Sequence, residues 1–302
     1  QEGRWAHAEK AAKIAARNPA AAGLASVVAA ASAHERGDQR AANEWLNHLD
    51  EYPEFADAKI LQQAQMALDN QEPHAALTLL DQVSPNLRKH SARYKEIQLQ
   101  AQAQSNNWHE VKQLASERKT VMTVEQKNEW MKRAIAGLSH DESLSVDYLR
   151  KLYKDMPDDV RNDDEALKTY LQALIQREAY SDARIVIQEA MRNRWRPNLM
   201  PDYVRAAESD SVTDQLKMCD AWAKLGYSDH QLSTAAVQLC LRAQIWGQAK
   251  KNFEDAIRTA PTAVNYAGLA QALRGMGDVA AAQEAEHQAS KLNQVRVLDH
   301  HD

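Results

Sequence analysis

At 302 residues the chain is long enough for one repeat array or two ordinary domains, and abundant Ala, Gln, Leu, Glu, Lys and Arg beside few Gly (9), Pro (8) and Phe (2) mark it as all-α. A formal net charge of -5 leaves no basic footprint for nucleic acid. Two cysteines, Cys219 and Cys240, without CxxC, CxxCH or zinc-spaced Cys/His clusters, give no sign of a disulfide framework, a zinc site or covalent haem attachment, and read as small core residues of neighbouring helices.

From the N-terminus onward one pattern recurs: a helix, a short turn with Gly or a polar residue, then a second helix carrying a small residue and ending near Pro. Gly3-Arg4-Trp5 leads to Ala8, Gly37-Asp38-Gln39 to Ala42, Gln71-Glu72-Pro73 to Ala76 and Asn106-Asn107-Trp108 to Val111. Glu178-Ala179-Tyr180 leads to Ala183, Gln244-Ile245-Trp246 to Ala249 and Gly277-Asp278-Val279 to Ala282. Spacings of about 34 residues, with two gaps of about twice that, match the period of tetratricopeptide (TPR) helix pairs. The first gap is filled by predicted helices over Val124 to Leu138 and Ser143 to Met156. The second holds a short segment near Leu199 to Ala207 and a helix over Val212 to Leu225.

The expected fold is therefore an all-α, right-handed α-solenoid of about eight to nine TPR-type hairpins with an irregular middle. Regular repeats are expected over 1–120, divergent ones over 121–227, regular ones again over 228–293, and a tail over 294–302, all as one solenoid. In the copy from Ala263 to Leu292, Tyr266, Leu269, Ala270 and Leu273 form one apolar stripe, and Ala281, Ala282, Ala285 and Ala289 allow close helix approach. The chain opens at the turn before Ala8, so its first hairpin is expected to lack most or all of its leading helix, and because Gln1 is no natural start the true N-terminus is expected upstream. No apolar run reaches the roughly 18 residues of a membrane span, and Ala20 to Ala33 reads as a buried helix.

Motifs for chemistry are scarce: there is no GxSxG, P-loop, HExxH or Gly-rich dinucleotide turn, and the chain reads as a non-enzyme. The histidines (7, 34, 48, 74, 90, 109, 140, 230, 287, 300 and 301) are scattered as surface residues rather than gathered as metal or haem ligands. Asp158-Asp159 and Asp163-Asp164 read as helix-starting turns. Trp5, Trp108 and Trp246 hold equivalent turn positions and read as packing wedges, while Trp130, Trp195 and Trp222 fall in the irregular part.

The leading helices carry a more telling signal. Gln65, Gln100, Gln172, Gln238 and Gln271 each stand six residues before a turn, on the face that lines the groove of a TPR superhelix. A ladder of amides there could donate to and accept from a bound peptide backbone. Arg93, Glu96, Lys168, Arg242 and Arg274 flank it. Glutamine is also a good helix former, and the same residues could bond only to neighbours or water.

Leu239-Cys240-Leu241-Arg242-Ala243-Gln244-Ile245-Trp246-Gly247-Gln248-Ala249, with Phe253-Glu254-Asp255-Ala256 and Pro261, resembles the HemY family, TPR proteins associated with haem biosynthesis in proteobacteria. The resemblance extends through Asp147-Tyr148-Leu149-Arg150, Met156-Pro157, Tyr180-Ser181-Asp182-Ala183, Arg194-Trp195-Arg196-Pro197 and the opening Glu2-Gly3-Arg4-Trp5-Ala6-His7-Ala8-Glu9-Lys10. It implies an inner-membrane protein anchored by two N-terminal helices absent from this sequence, with the array facing the cytoplasm or, alternatively, the periplasm. Its implied role is a scaffold for late haem or porphyrin enzymes. Two alternatives stay open: a haem or porphyrin carrier, and a general peptide-binding module in membrane assembly or quality control. No cofactor is required by the first reading, haem is the cofactor of the second, and no catalytic residue is implied.

Overall fold

A computed structural model of the chain describes the backbone of residues 2–227, 230–259 and 261–298, and the side chains of these except 2, 3, 259 and 293–298. His300-His301-Asp302 lie outside the described residues. The described residues form nineteen α-helices and no strand. They are α1 (Glu2–Ala15), α2 (Pro19–Glu35), α3 (Gln39–His48), α4 (Ala56–Asp69), α5 (Pro73–Leu80), α6 (Pro85–His90), α7 (Ala92–Gln104), α8 (Trp108–Ala115) and α9 (Val124–His140). There follow α10 (Val146–Asp155), α11 (Asp158–Arg161), α12 (Asp164–Gln176), α13 (Tyr180–Asn193), α14 (Met200–Arg205), α15 (Val212–Lys224), α16 (His230–Arg242), α17 (Trp246–Thr259), α18 (Ala263–Gly275) and α19 (Val279–Leu298).

The chain divides into two compact units, one of residues 1–143 with 155–161, the other of 144–154 with 162–302. Inside each, helices pack chiefly on helices next or nearly next to them in sequence, as a stack of hairpins requires. In the first unit one core joins Ala30, Ala33, Ala42, Leu46, Leu49 and Met66, and the next joins Leu61, Leu68, Ala76, Leu80, Tyr94 and Ile97. In the second, Val237, Cys240, Ala249, Phe253 and Ala272 lead into Ala270, Leu273, Ala282 and Ala285. The anchors at Ala42, Ala76, Val111, Ala183, Ala249 and Ala282 are all 0% exposed, so the small residues mark the helix crossings; Ala8 is only partly buried. Ala20 to Ala33 lies in α2, most of whose alanines are buried, and no described helix is long and apolar enough to cross a membrane.

One turn recurs five residues before each of these six anchors. Gly37, Gln71, Asn106, Glu178, Gln244 and Gly277 all have positive φ, between 55° and 81°. The following amide bonds back across the turn to the carbonyl five residues earlier, as in Asp38 to Ala33 and Glu72 to Ala67, and again in Ala179 to Leu174 and Ile245 to Cys240. This is the Schellman closure, in which a left-handed residue satisfies the last carbonyls of the leading helix. Gly226 makes the same turn between α15 and α16.

Two of the turn tryptophans act as wedges. A Cβ at Gly137 would fall 2.1 Å from the Trp108 ring, and one at Gly275 would fall 2.2 Å from the Trp246 ring. Each glycine thus makes room for an indole on the preceding hairpin. Trp5, at 37% exposure, stays largely open.

The irregular part of the second unit is held by polar clamps. Arg196 is 3% exposed; its guanidinium donates to Asp164 Oδ1 at 2.8 Å and to the carbonyl and side chain of Asn162 at 3.1 and 3.0 Å. Tyr170 donates to the Leu149 carbonyl at 3.0 Å from a buried position that pushes its phenol pKa upward. The six-residue α14 is too short to persist alone, and its C-terminal carbonyls are taken by side chains from elsewhere. Gln215 donates to Tyr203 O at 2.6 Å, Arg184 to Ala206 O at 2.6 Å, and Arg242 to Val204 O at 2.8 Å. Beside it Trp195 stacks on Tyr227 with centroids 4.3 Å apart, and Trp222 meets both Trp195 and Tyr203. Cys219 and Cys240 are both free and buried, and burial pushes their thiols up to about 12 and about 11.

Candidate peptide-binding groove

The amides expected to form a ladder fall into three situations. In the first unit Gln65 donates to Asp69 at 3.0 Å and Gln100 to Glu96 at 3.0 Å, each within its own helix. Glu96 also accepts the indole N–H of buried Trp130 at 3.0 Å, so this carboxylate is fixed by packing, and Arg93 is exposed beside it. In the second unit Gln172 and Lys168 are exposed on α12. Gln238 and Gln271 share a cavity.

That cavity, of about 310 Å³, lies among α16, α17 and α18. Val237, Leu241, Phe253 and Ala256 give it an apolar lining, with Val264 at 73% exposure on its edge. Gln238, Gln271, Ser233 and Thr234 supply the polar groups. Gly268 makes the approach of α18 possible, since a Cβ there would fall 1.9 Å from the Phe253 ring. A second cleft of about 270 Å³ on the other flank of α16 is lined by Met200, Pro201 and Ala235 and shares His230, Thr234 and Gln238 with the first. The His230 Nδ1 lies 3.2 Å from Thr234 Oγ1. An apolar floor with a few polar groups at the rim suits an extended peptide, whose side chains seek the floor and whose backbone seeks the amides.

Two of the expected basic residues are committed elsewhere. Arg242 points to α14, where it bonds the Val204 and Ala207 carbonyls at 2.8 and 3.3 Å, and Arg274 pairs with Glu286 of α19. The residues missed from sequence are the apolar floor, Val237, Leu241 and Phe253, together with Gly268. The signal that could have found them is the small residue three before Gln271, which opens space below the amide.

A buried acid lies near Lys168. Asp202 on α14 has a pKa raised chiefly by burial, against which Arg205 and Lys168 pull downward. Its carboxylate meets Arg205 at 3.4 Å, with 3% of the side chain exposed. Several histidines are likewise engaged: His34 with Asp69 at 2.6 Å, His48 with Ser26 at 3.0 Å, and His140 and His90 with carbonyls of their own helices. Among the described residues no group of three or more His, Cys, Asp or Glu gathers as a metal would need.

No protein-family model matches the chain, and no curated protein does. Among solved structures it is similar to the pentatricopeptide repeat protein PPR10 from maize, at 13% identity and a TM-score of 0.43, over 87% of this chain and 38% of that one. It is also similar to the APC/C hetero-tetramer Cut9-Hcn1, at 14% identity and a TM-score of 0.34, over 89% of this chain and 60% of that one. The stacked hairpins themselves define the class of protein, that of helical-repeat arrays.

Proposed function

We propose that the chain is a non-enzymatic scaffold that holds an extended segment of a partner protein along α16, with Gln238 and Gln271 bonding the segment's backbone. The observation that carries this reading is that these two exposed amides, one repeat apart, rim the same apolar cleft. In the cell the partners to seek first are late haem- or porphyrin-biosynthesis enzymes at the bacterial inner membrane, with the array on the cytoplasmic side, as the HemY resemblance suggests. Photo-crosslinking from position 264 in the full-length protein tests it. Crosslinks to a defined protein that disappear in Gln238→Ala/Gln271→Ala support it, and crosslinks unchanged by that variant oppose it. Recovery of partners unrelated to haem would favour a general peptide-binding module instead.

A haem carrier is the second reading, and the observation in its favour is His230 on the wall shared by the two apolar clefts. A saturable Soret shift on haem titration, lost in His230→Ala, would support it. A shift that survives that substitution would point to nonspecific adsorption.

A further inference from the structure

A third cleft, in the first unit, has a different chemistry. It measures about 720 Å³ and lies between the α6–α7 corner and the connection from α8 to α9. Arg88, Lys89, Lys95 and Lys119 line it against a single carboxylate, Glu117, in a chain whose overall charge is negative. Lys95 is spent on Glu117, at 3.1 Å, and that pair with the Lys127 bond to the Glu117 carbonyl at 2.8 Å ties the connection down. The Arg88 side chain is fixed by the Val83 and Asp81 carbonyls but keeps its charge. Lys89 and Lys119 are exposed and have no ion-pair partner among the described residues.

Tyr94 and Gln98 of α7 form part of its wall. Tyr94 is 5% exposed, so its ring is closed to the base stacking that single-stranded nucleic acid uses. Gln98 and Gln100 are two residues apart on α7 and so face different directions, which separates this cleft from the amide ladder.

We propose that this cleft binds an acidic peptide segment of a partner protein, its carboxylates between Lys89 and Lys119. The test uses the full chain and a fluorescein-labelled octaglutamate peptide, read by anisotropy at low ionic strength. Binding should weaken by roughly tenfold or more in Lys89→Glu/Lys119→Glu. It should change little in Lys224→Glu/Lys251→Glu, which alters net charge equally at exposed positions of the other unit. Lys89→Gln/Lys119→Gln repeats the measurement should charge reversal disturb folding. No binding by the unaltered chain, or equal loss in both reversal pairs, would overturn the proposal. So would a single-stranded oligonucleotide that binds the cleft more tightly than the peptide.

Discussion

Glu178 and Gln244 sit in the left-handed region that an L side chain adopts at a cost of roughly 1–2 kcal/mol. Glycine there should recover part of that cost, so Glu178→Gly and Gln244→Gly are each expected to stabilise the second unit by about 0.5–1 kcal/mol, read as a shift in urea midpoint. Arg196 works in the opposite sense. Arg196→Met keeps the stem's volume but leaves Asn162 unbonded, and should cost roughly 1.5–3 kcal/mol by the same measurement. Asp202 supplies a pH dependence. Its folded pKa lies above the unfolded one, so its contribution to stability is fully present below the unfolded value and is lost as pH rises through the folded value. Asp202→Asn should therefore be more stable than the parent near neutrality, with the gap closing as the pH falls toward about 4. Arg196 was invisible in sequence as a clamp, because an arginine ordinarily reads as surface and its partners lie more than thirty residues upstream.

At the scale of helices, the anchors were legible because a crossing that admits only a small side chain leaves its mark at one position per hairpin. The turn residues were legible for the same reason of register, although only Gly37 and Gly277 declared their backbone by composition. The middle was legible as helices and not as packing: α9, α10 and α15 stand where their apolar spacing placed them, but the Trp195–Tyr227 stack joins residues with no periodic relation. Glutamine spacing singled out Gln238 and Gln271, which share a cavity, and could not tell them from Gln65 and Gln100, whose amides are occupied by acids four residues away. The wedges give the element-scale prediction. Gly137→Ala and Gly275→Ala should each cost about 1–3 kcal/mol by driving a methyl into an indole, and pairing Gly275→Ala with Trp246→Leu should return part of the loss.

Taken as a whole, the molecule is built from contacts between near neighbours in sequence, with two compact units, and such chains gain stability by summing local interfaces rather than by closing one central core. Unfolding should depart from a two-state transition, with a calorimetric enthalpy larger than the van't Hoff value. Cys219 and Cys240 make part of that process observable. Protonated at neutral pH and shut away from reagent, they are chemically silent while α15 and α16 stay in place. A disulfide dye added to the native protein would therefore be consumed at the pace of helix departure, giving a built-in clock for the breathing of this stretch with no label introduced.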